Sequence, residues 1–202
     1  LLAMLGRVIL TLPRGVGWRY LGVLLIVPRR FGDGRGFFAE SWNRRTLEQA
    51  GLALPEFVQD NHSLSHEAGT VRGLHFQAPP HAQGKLVRCG RGRIFDVAVD
   101  IRRTSPTFGR WVSVHLSEHN KRQVYIPPGC AHGFCVLSDS AYVFYKCSDF
   151  YDPDDEGGIL WSDPALAIDW PIPHPIVSEK DAALPVLGEI PTEKLYKPLK
   201  TP

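Results

Sequence analysis

A histidine and a lysine stand in one short segment of the chain, RGLHFQAPPHAQGK at residues 72–85. A neutral imidazole such as that of His75 can accept a proton near physiological pH, and an ammonium such as that of Lys85 can stabilise the anion left behind. A carboxylate and a phenol that could complete such a site follow at Asp181 and Tyr145. Together these four groups indicate proton transfer at a carbon next to a ketone.

Each of the four side chains also has an ordinary structural interpretation. A lone histidine is more often hydrogen-bonded in the core, a lysine is usually on the surface, and a tyrosine within the aromatic segment AYVFYK is typical of a core strand. The argument for catalysis is therefore collective. Asp181 could fix the tautomer of His75, Lys85 shares its strand with apolar residues and could point into a cleft, and a phenol could return a proton from the opposite face.

Arg72, His132 and the RGFF segment around Arg35 are candidate anion-binding groups, because a guanidinium matches phosphate oxygens bidentately. On a regular strand Arg72 and His75 would face opposite sides. Both can line one site only if Gly73 marks a bulge or a bend in the strand.

The pattern closest to a metal motif is Cys130, His132 and Cys135, since sulfur and imidazole are good zinc ligands. On a strand the first two would face one way and the third the other, so the three cannot converge without a bulge. We predict no metal site.

Length and charge bound the class of protein. The chain has 202 residues, of which 44% are hydrophobic, and a net charge of +2. These values predict one domain over residues 21–202 after an N-terminal tail at residues 1–20, and a small anionic ligand rather than nucleic acid or a membrane. The apolar runs of the first residues are too short to span a bilayer. The four cysteines have no disulfide-framework spacing, which predicts reduced, buried thiols in a cytoplasmic protein.

Short segments of period two dominate the chain. In residues 93–101, Phe95, Val97, Val99 and Ile101 alternate with Asp96, Ala98 and Asp100, which predicts one core face and one wetter face. The Gly90-Arg91-Gly92 segment predicts a hairpin between this strand and residues 85–89. Helical signal is limited to residues 43–50 and to SEKDAA at residues 178–183, where Ser178 is a predicted cap. An all-β antiparallel sandwich or jelly roll with a few short helices is expected.

The chain resembles the dTDP-4-dehydrorhamnose 3,5-epimerase family, which has a jelly-roll fold of the cupin superfamily. The resemblance runs from about residue 23 to residue 185. Its motifs are GDGRGFFAES, FVQDNHS, VRGLHFQ, QGKLVRC, GRIFDVAVDIRRTSPTFGRW, IPPGCAHGF and SEKDAALP, in that order.

The resemblance implies a role for each matching position. It makes His75 the general base paired with Asp181, Lys85 the group that stabilises the enolate, and Tyr145 the acid. It also implies that Arg72 and His132 help to bind the sugar-diphosphate end of the substrate. Gln59 and Asn61 are implied to lie near the nucleotide. Phe31, Arg35 and Glu40 are implied to reach the nucleotide across a homodimer interface.

The implied reaction converts dTDP-4-dehydro-6-deoxy-D-glucose into dTDP-4-dehydro-L-rhamnose, for rhamnose synthesis in a bacterial surface polysaccharide. Both inverted carbons flank the C4 ketone, so no cofactor or metal is needed. Alternatives stay open: a mono-epimerase acting at C3 or C5 only, or a non-catalytic cupin that binds sugar nucleotides. A metal-dependent cupin is a further alternative, because PPGCAH at residues 127–132 resembles a cupin half-motif, but too few histidines remain around His75 for such a site.

Overall fold

The computed structural model describes residues 5–9 and 21–196, and strands make up most of the regular structure in that part. The strands are β1 (Leu5–Ile9), β2 (Leu24–Pro28), β3 (Phe31–Asp33), β4 (Gly36–Phe38), β5 (Gln59–Ser65), β6 (Val71–Gln77), β7 (Lys85–Arg91), β8 (Arg93–Asp100), β9 (Trp111–Ser117), β10 (Gln123–Ile126), β11 (Cys130–Val136), β12 (Ala141–Cys147) and β13 (Glu156–Gly158). Two short helices, α1 (Arg44–Gln49) and α2 (Glu179–Ala182), and a turn of 3-10 helix at Leu187–Glu189 complete it.

Two large antiparallel sheets form the molecule. One has the strand order β1-β2-β10-β7-β12-β5 and the other β13-β6-β11-β8-β9, while β3 and β4 form a separate hairpin. The sheets face each other, because one buried cluster joins Val87 and Val143 of the six-stranded sheet to Ala98 and Phe134 of the five-stranded sheet. This arrangement confirms the predicted cupin-type jelly roll with few helices.

The outer faces of both sheets are also covered. Leu166 and Leu187 from the C-terminal part of the chain pack on the five-stranded sheet. Leu47 of α1 packs on the six-stranded sheet against Leu86 and Tyr125. Strands covered on both sides are held rigidly, which suits them to carry a site.

The prediction that one face of β8 is wetter is wrong. Every residue of this strand after Arg93 is buried, and Ala98 belongs to the core between the sheets. The two aspartates on that face satisfy their charges internally: Asp96 contacts a histidine, and Asp100 accepts hydrogen bonds from Arg102 and from neighbouring hydroxyls. Buried carboxylates with such partners need no water.

The predicted hairpin between β7 and β8 is also wrong. These strands belong to different sheets, so the Gly90-Arg91-Gly92 segment turns the chain from one sheet to the other. Gly92 adopts a φ of +79°, which explains the glycine at this corner. A local glycine pattern cannot distinguish a hairpin turn from a corner between sheets.

Both predicted helices, α1 and α2, are confirmed. Asn43 caps α1 by accepting a hydrogen bond from the Thr46 amide, and Ser178 caps α2 by accepting one from the Asp181 amide. Of the predicted tail, only Leu5–Ile9 is described: it forms β1 and pairs with β2. The rest of that prediction lies outside the described residues.

The four cysteines are free and buried. Cys130 lies in the cluster between the sheets and Cys135 in the cluster on the outer face, as strand parity predicts. Burial raises the pKa of Cys130 to about 12 and that of Cys135 to about 11. Within the described residues, no helix has the length and apolar character needed to cross a bilayer.

Candidate active site

Two adjoining cavities of about 310 and 330 Å³ share the side chains of His75, Lys85 and Tyr145. We call the first the amide lobe; it is also lined by Gln59, Asn61, Gln77, Gln83, Tyr151 and Glu156. We call the second the basic lobe; it is also lined by Ser63, Arg72, His132, Phe134, Lys180 and Asp181. The structure therefore places His75, Lys85 and Tyr145 where the two lobes meet, and all four predicted catalytic residues line the basic lobe.

A bulge in β6 explains how Arg72 and His75 reach the same cavity. Arg72 pairs with Phe134 and His75 with His132, so the register of β6 shifts against β11 between these pairs. Gly73 has a φ of +106° at this point. The shift places both side chains in the basic lobe, which confirms the prediction that they can share a site only if β6 has a bulge at Gly73.

Gly73→Ala is expected to lower the free energy of unfolding by about 1–3 kcal/mol, because the positive φ disfavours any side chain. A Cβ there would also lie 2.6 Å from the His132 carbonyl oxygen, so β6 must shift. Chemical denaturation measures the loss. Gly188→Ala is the control, since its Cβ meets nothing within 4 Å. Equal stability of the two variants would contradict a backbone requirement at Gly73.

His75 and Asp181 form a hydrogen-bonded pair. His75 Nε2 lies 2.7 Å from Asp181 Oδ1, and the other carboxylate oxygen accepts a hydrogen bond of 3.0 Å from the Gly73 amide. The carboxylate accepts, so Nε2 carries the hydrogen and Nδ1 is left as a proton acceptor. Burial lowers the pKa of His75 from 6.5, and the bond to Asp181 only partly offsets this. The ring is therefore neutral at neutral pH.

Lys85 and Tyr145 come from the sheet opposite His75. They stand on the neighbouring strands β7 and β12 of the six-stranded sheet, whereas His75 belongs to the five-stranded sheet. Burial lowers the pKa of Lys85, although the carboxylates of Asp96 and Glu156 oppose that effect. Burial raises the pKa of Tyr145, so its phenol keeps its proton at neutral pH. No side chain in the described part of the protein hydrogen-bonds the Lys85 ammonium or the Tyr145 hydroxyl.

Two more predicted residues line the basic lobe. His132 is buried, and its Nε2 lies 2.9 Å from Asp96 Oδ2. The Arg72 guanidinium donates to Ser65 Oγ at 3.1 Å and to the Leu64 carbonyl at 3.2 Å, which fixes its direction. Arg72, Lys85 and Lys180 make this lobe cationic, a character that suits an anionic ligand.

The remaining predicted residues divide into two groups. Gln59 and Asn61 line the amide lobe. The others lie away from both lobes: Phe31 is on the exposed β3–β4 hairpin, Arg35 pairs with Asp33 at 2.6 Å, and Glu40 accepts hydrogen bonds from side chains at the start of α1. Within one chain, the structure does not bring this second group to the cavity.

Sequence reasoning missed several cavity residues. Glu156 lines the amide lobe and accepts hydrogen bonds from Lys180 at 2.7 Å and Tyr151 at 3.1 Å. Glu156 carries no local signal, because only the pairing of β13 with β6 brings it near His75. Lys180 lies in α2 beside Asp181, which the bond to His75 holds at the cavity. Asp96 did carry a local signal: a carboxylate among the apolar residues of β8 indicates a buried partner.

One group of side chains in the described part of the protein could hold a metal ion. His81 Nδ1 lies 2.7 Å from Asp155 Oδ2 and 3.4 Å from Asp152 Oδ2. The His81–Asp155 hydrogen bond raises the pKa of His81, so a proton shared with the carboxylates accounts for the contact. None of the predicted catalytic residues belongs to this group.

The chain is similar to several known proteins. A profile of the dTDP-4-dehydrorhamnose 3,5-epimerase family matches residues 19–189. The dTDP-4-dehydrorhamnose 3,5-epimerase of Shigella flexneri is 58% identical over 159 residues, 79% of this chain and 87% of that protein. The structure of dTDP-6-deoxy-D-glucose-3,5-epimerase RmlC from Legionella pneumophila with dTDP-4-keto-L-rhamnose is 51% identical, covers 87% of this chain and 93% of its own, and has a TM-score of 0.81. ChmJ, a 3′-monoepimerase from Streptomyces bikiniensis, is 36% identical with a TM-score of 0.76, over 83% of this chain and 84% of its own.

Proposed function

The chain belongs to the dTDP-4-dehydrorhamnose 3,5-epimerase family, and on that basis we propose that it is an isomerase that converts dTDP-4-dehydro-6-deoxy-D-glucose into dTDP-4-dehydro-L-rhamnose. Both inverted carbons, C3 and C5, are next to the C4 ketone. The carbonyl acidifies each C–H bond, so each inversion can pass through an enolate without a redox cofactor or a metal. The product would serve dTDP-rhamnose synthesis for a surface polysaccharide.

In the proposed mechanism, His75 Nδ1 removes the proton from the carbon next to the ketone. Asp181 accepts the Nε2 hydrogen bond and stabilises the imidazolium that forms. The Lys85 ammonium stabilises the negative charge that develops on the ketone oxygen, an effect that is stronger in a partly dry cavity than in water. Tyr145 then donates its phenolic proton to the carbon.

The observation that supports this proposal is that His75 and Tyr145, the proposed base and acid, stand on different sheets. His75 on β6 and Tyr145 on β12 line one cavity from its two walls. Inversion requires that a proton leave one face of the sugar ring and another arrive on the opposite face. Groups on facing sheets are suited to that, whereas groups on one strand would return the proton to the face it left.

The proposal includes a homodimer and a cytoplasmic setting. The β3–β4 hairpin exposes Phe31, Phe37 and Phe38, an apolar surface of the kind that subunit interfaces cover. A partner chain there could bring its Phe31, Arg35 and Glu40 to the nucleotide. The four free thiols fit a reducing compartment. Sedimentation analysis tests the oligomeric part.

Deuterium wash-in tests the reaction itself. Incubation of the 4-keto sugar nucleotide with the protein in deuterated water is expected to place deuterium at both C3 and C5. Label at one carbon would indicate a mono-epimerase, the second candidate, which is the activity of the less similar ChmJ. Absence of label would reject proton transfer and leave a sugar-nucleotide binding protein.

Tyr145→Phe is expected to lower product formation by about 10²-fold, because the variant lacks the proton donor. Proton removal by His75 should persist, so exchange at C3 or C5 should fall less than net epimerisation. Product analysis alongside wash-in measures both. Tyr142→Phe is the control, since this tyrosine of the same strand lines neither lobe. Equal loss of exchange and epimerisation would contradict the assignment of Tyr145 as the acid.

A further inference from the structure

One face of β5 carries a stripe of polar side chains, Gln59, Asn61, Ser63 and Ser65, which we call the polar stripe. Most of its members have protein partners. Gln59 accepts from the Tyr151 amide at 2.9 Å and donates to Asn61 Oδ1 at 3.1 Å, and Ser65 Oγ accepts from Arg72 Nε at 3.1 Å.

Ser63 is the exception within the polar stripe. Its hydroxyl oxygen is shielded from solvent and has no hydrogen-bond partner, which holds for no other buried side-chain nitrogen or oxygen in the described part of the protein. Buried polar groups without partners are rare in folded proteins, because the hydroxyl loses its water and gains nothing. Ser63 nevertheless lines the basic lobe, so a bound ligand could supply the missing partner.

We propose that Ser63 is a further substrate-binding residue, whose hydroxyl turns about χ1 into the basic lobe and hydrogen-bonds a hydroxyl group of the sugar. This inference rests on the proposed function. A rotation between staggered positions is enough to move the oxygen of a serine, and it requires no change of the backbone. The Ser63 hydroxyl has no hydrogen-bond partner in the unliganded protein and gains one when the substrate binds.

The position of Ser63 explains why a sugar hydroxyl is its partner. Ser63 pairs with Val143, and Asn61 pairs with Tyr145, so Ser63 and Tyr145 are diagonal neighbours on one face of the sheet. A sugar ring placed to receive a proton from Tyr145 therefore lies within reach of Ser63. The charged groups of the lobe suit phosphate, whereas a neutral hydroxyl that both donates and accepts complements another hydroxyl.

Ser63→Ala tests the inference through two independent readouts. The KM for the dTDP-4-keto sugar is expected to rise about fivefold to tenfold, the loss of one neutral hydrogen bond, with kcat within about twofold of wild type. The Kd for dTDP should stay the same, because dTDP lacks the 4-keto hexose that Ser63 is proposed to contact. The melting temperature of the unliganded variant should be unchanged or higher, because an unpaired hydroxyl has been removed.

Ser65→Ala is the matched control for stability, since it deletes a hydroxyl of the polar stripe that does have a partner. Its melting temperature should fall. A lower melting temperature for Ser63→Ala would assign Ser63 a structural role and overturn the inference, as would an unchanged KM. An equal weakening of dTDP binding would overturn the assignment to the sugar. If the wild-type protein shows no deuterium wash-in, the proposed function itself is rejected. If the wild-type protein shows normal wash-in and Ser63→Ala has the wild-type KM, only the role of Ser63 is rejected.

Discussion

Replacement of His75 by alanine is expected to reduce deuterium incorporation at C3 and C5 by about 10²- to 10⁴-fold, the range that a positioned general base contributes. The reason is geometric as well as chemical. Asp181 holds Nε2 at 2.7 Å, which leaves Nδ1 as the proton acceptor of this ring. Wash-in measured separately at each carbon gives the loss, and both carbons should lose label if one base serves both.

The control for His75→Ala is His62→Ala, because His62 is exposed on β5 and lines neither lobe. That variant should exchange at the wild-type rate. Binding of dTDP to His75→Ala should persist, which shows that the cavity is intact. Exchange at more than about one tenth of the wild-type rate would mean that another group removes the proton.

The same assignment fixes the direction of the pH dependence. The base must be neutral, so kcat/KM should fall as the pH falls through the pKa of His75, which burial places below 6.5. Lys85 must be charged, so kcat/KM should also fall as the pH rises through the pKa of Lys85, which burial places below 10.5. A profile with an acid limb above pH 6.5 would contradict a desolvated His75.

Lys85→Met is expected to lower kcat by about 10²- to 10³-fold, the loss typical of removing one group that stabilises an oxyanion. Methionine keeps the length and most of the volume of the side chain while removing its charge. Stability should be unchanged or higher, because a half-buried cation without a hydrogen-bonded partner is itself unfavourable. Steady-state kinetics and thermal denaturation measure the two effects.

Lys146→Met is the matched control for this charge removal. Lys146 lies on β12 and pairs with the exposed Asp60 at 2.7 Å, so its loss should change kcat by less than about twofold and stability by less than about 1 kcal/mol. If Lys85→Met kept the wild-type kcat, the oxyanion would have to be stabilised by another group of the cavity.

Local patterns in the sequence predicted most of the elements and the bulge in β6 that the candidate site requires. The alternating strand patterns and the scarce helical signal predicted an antiparallel sandwich or jelly roll. Ser178 predicted the start of α2, because a capping side chain acts within the first turn of its own helix. The parity of β6 required a bulge at Gly73 before Arg72 and His75 could share a site, and the register shift is there. Such inferences succeed because they depend on neighbours in the chain.

Relations between distant segments were harder to predict. The glycines after β7 indicated a hairpin but turn the chain between sheets, since nothing local says which sheet the next strand joins. The aspartates of β8 looked solvated because their partners, His132 and Arg102, lie outside the strand. Nor could the sequence tell that His75 and Tyr145 stand on facing sheets, the relation on which an inverting mechanism depends.

The burial of all four thiols has a practical consequence for work with this protein. A thiol reacts as its thiolate, and burial raises the pKa of each cysteine, to about 11 for Cys89 and about 12 for Cys130. Folded chains should therefore resist alkylating reagents and mild oxidants, even at Cys147, which lines the amide lobe but is buried, with its pKa raised by burial. The rate at which iodoacetamide labels the protein should therefore measure how often the sandwich opens transiently. This measurement needs no added fluorophore, and the protein should stay active as long as it stays folded.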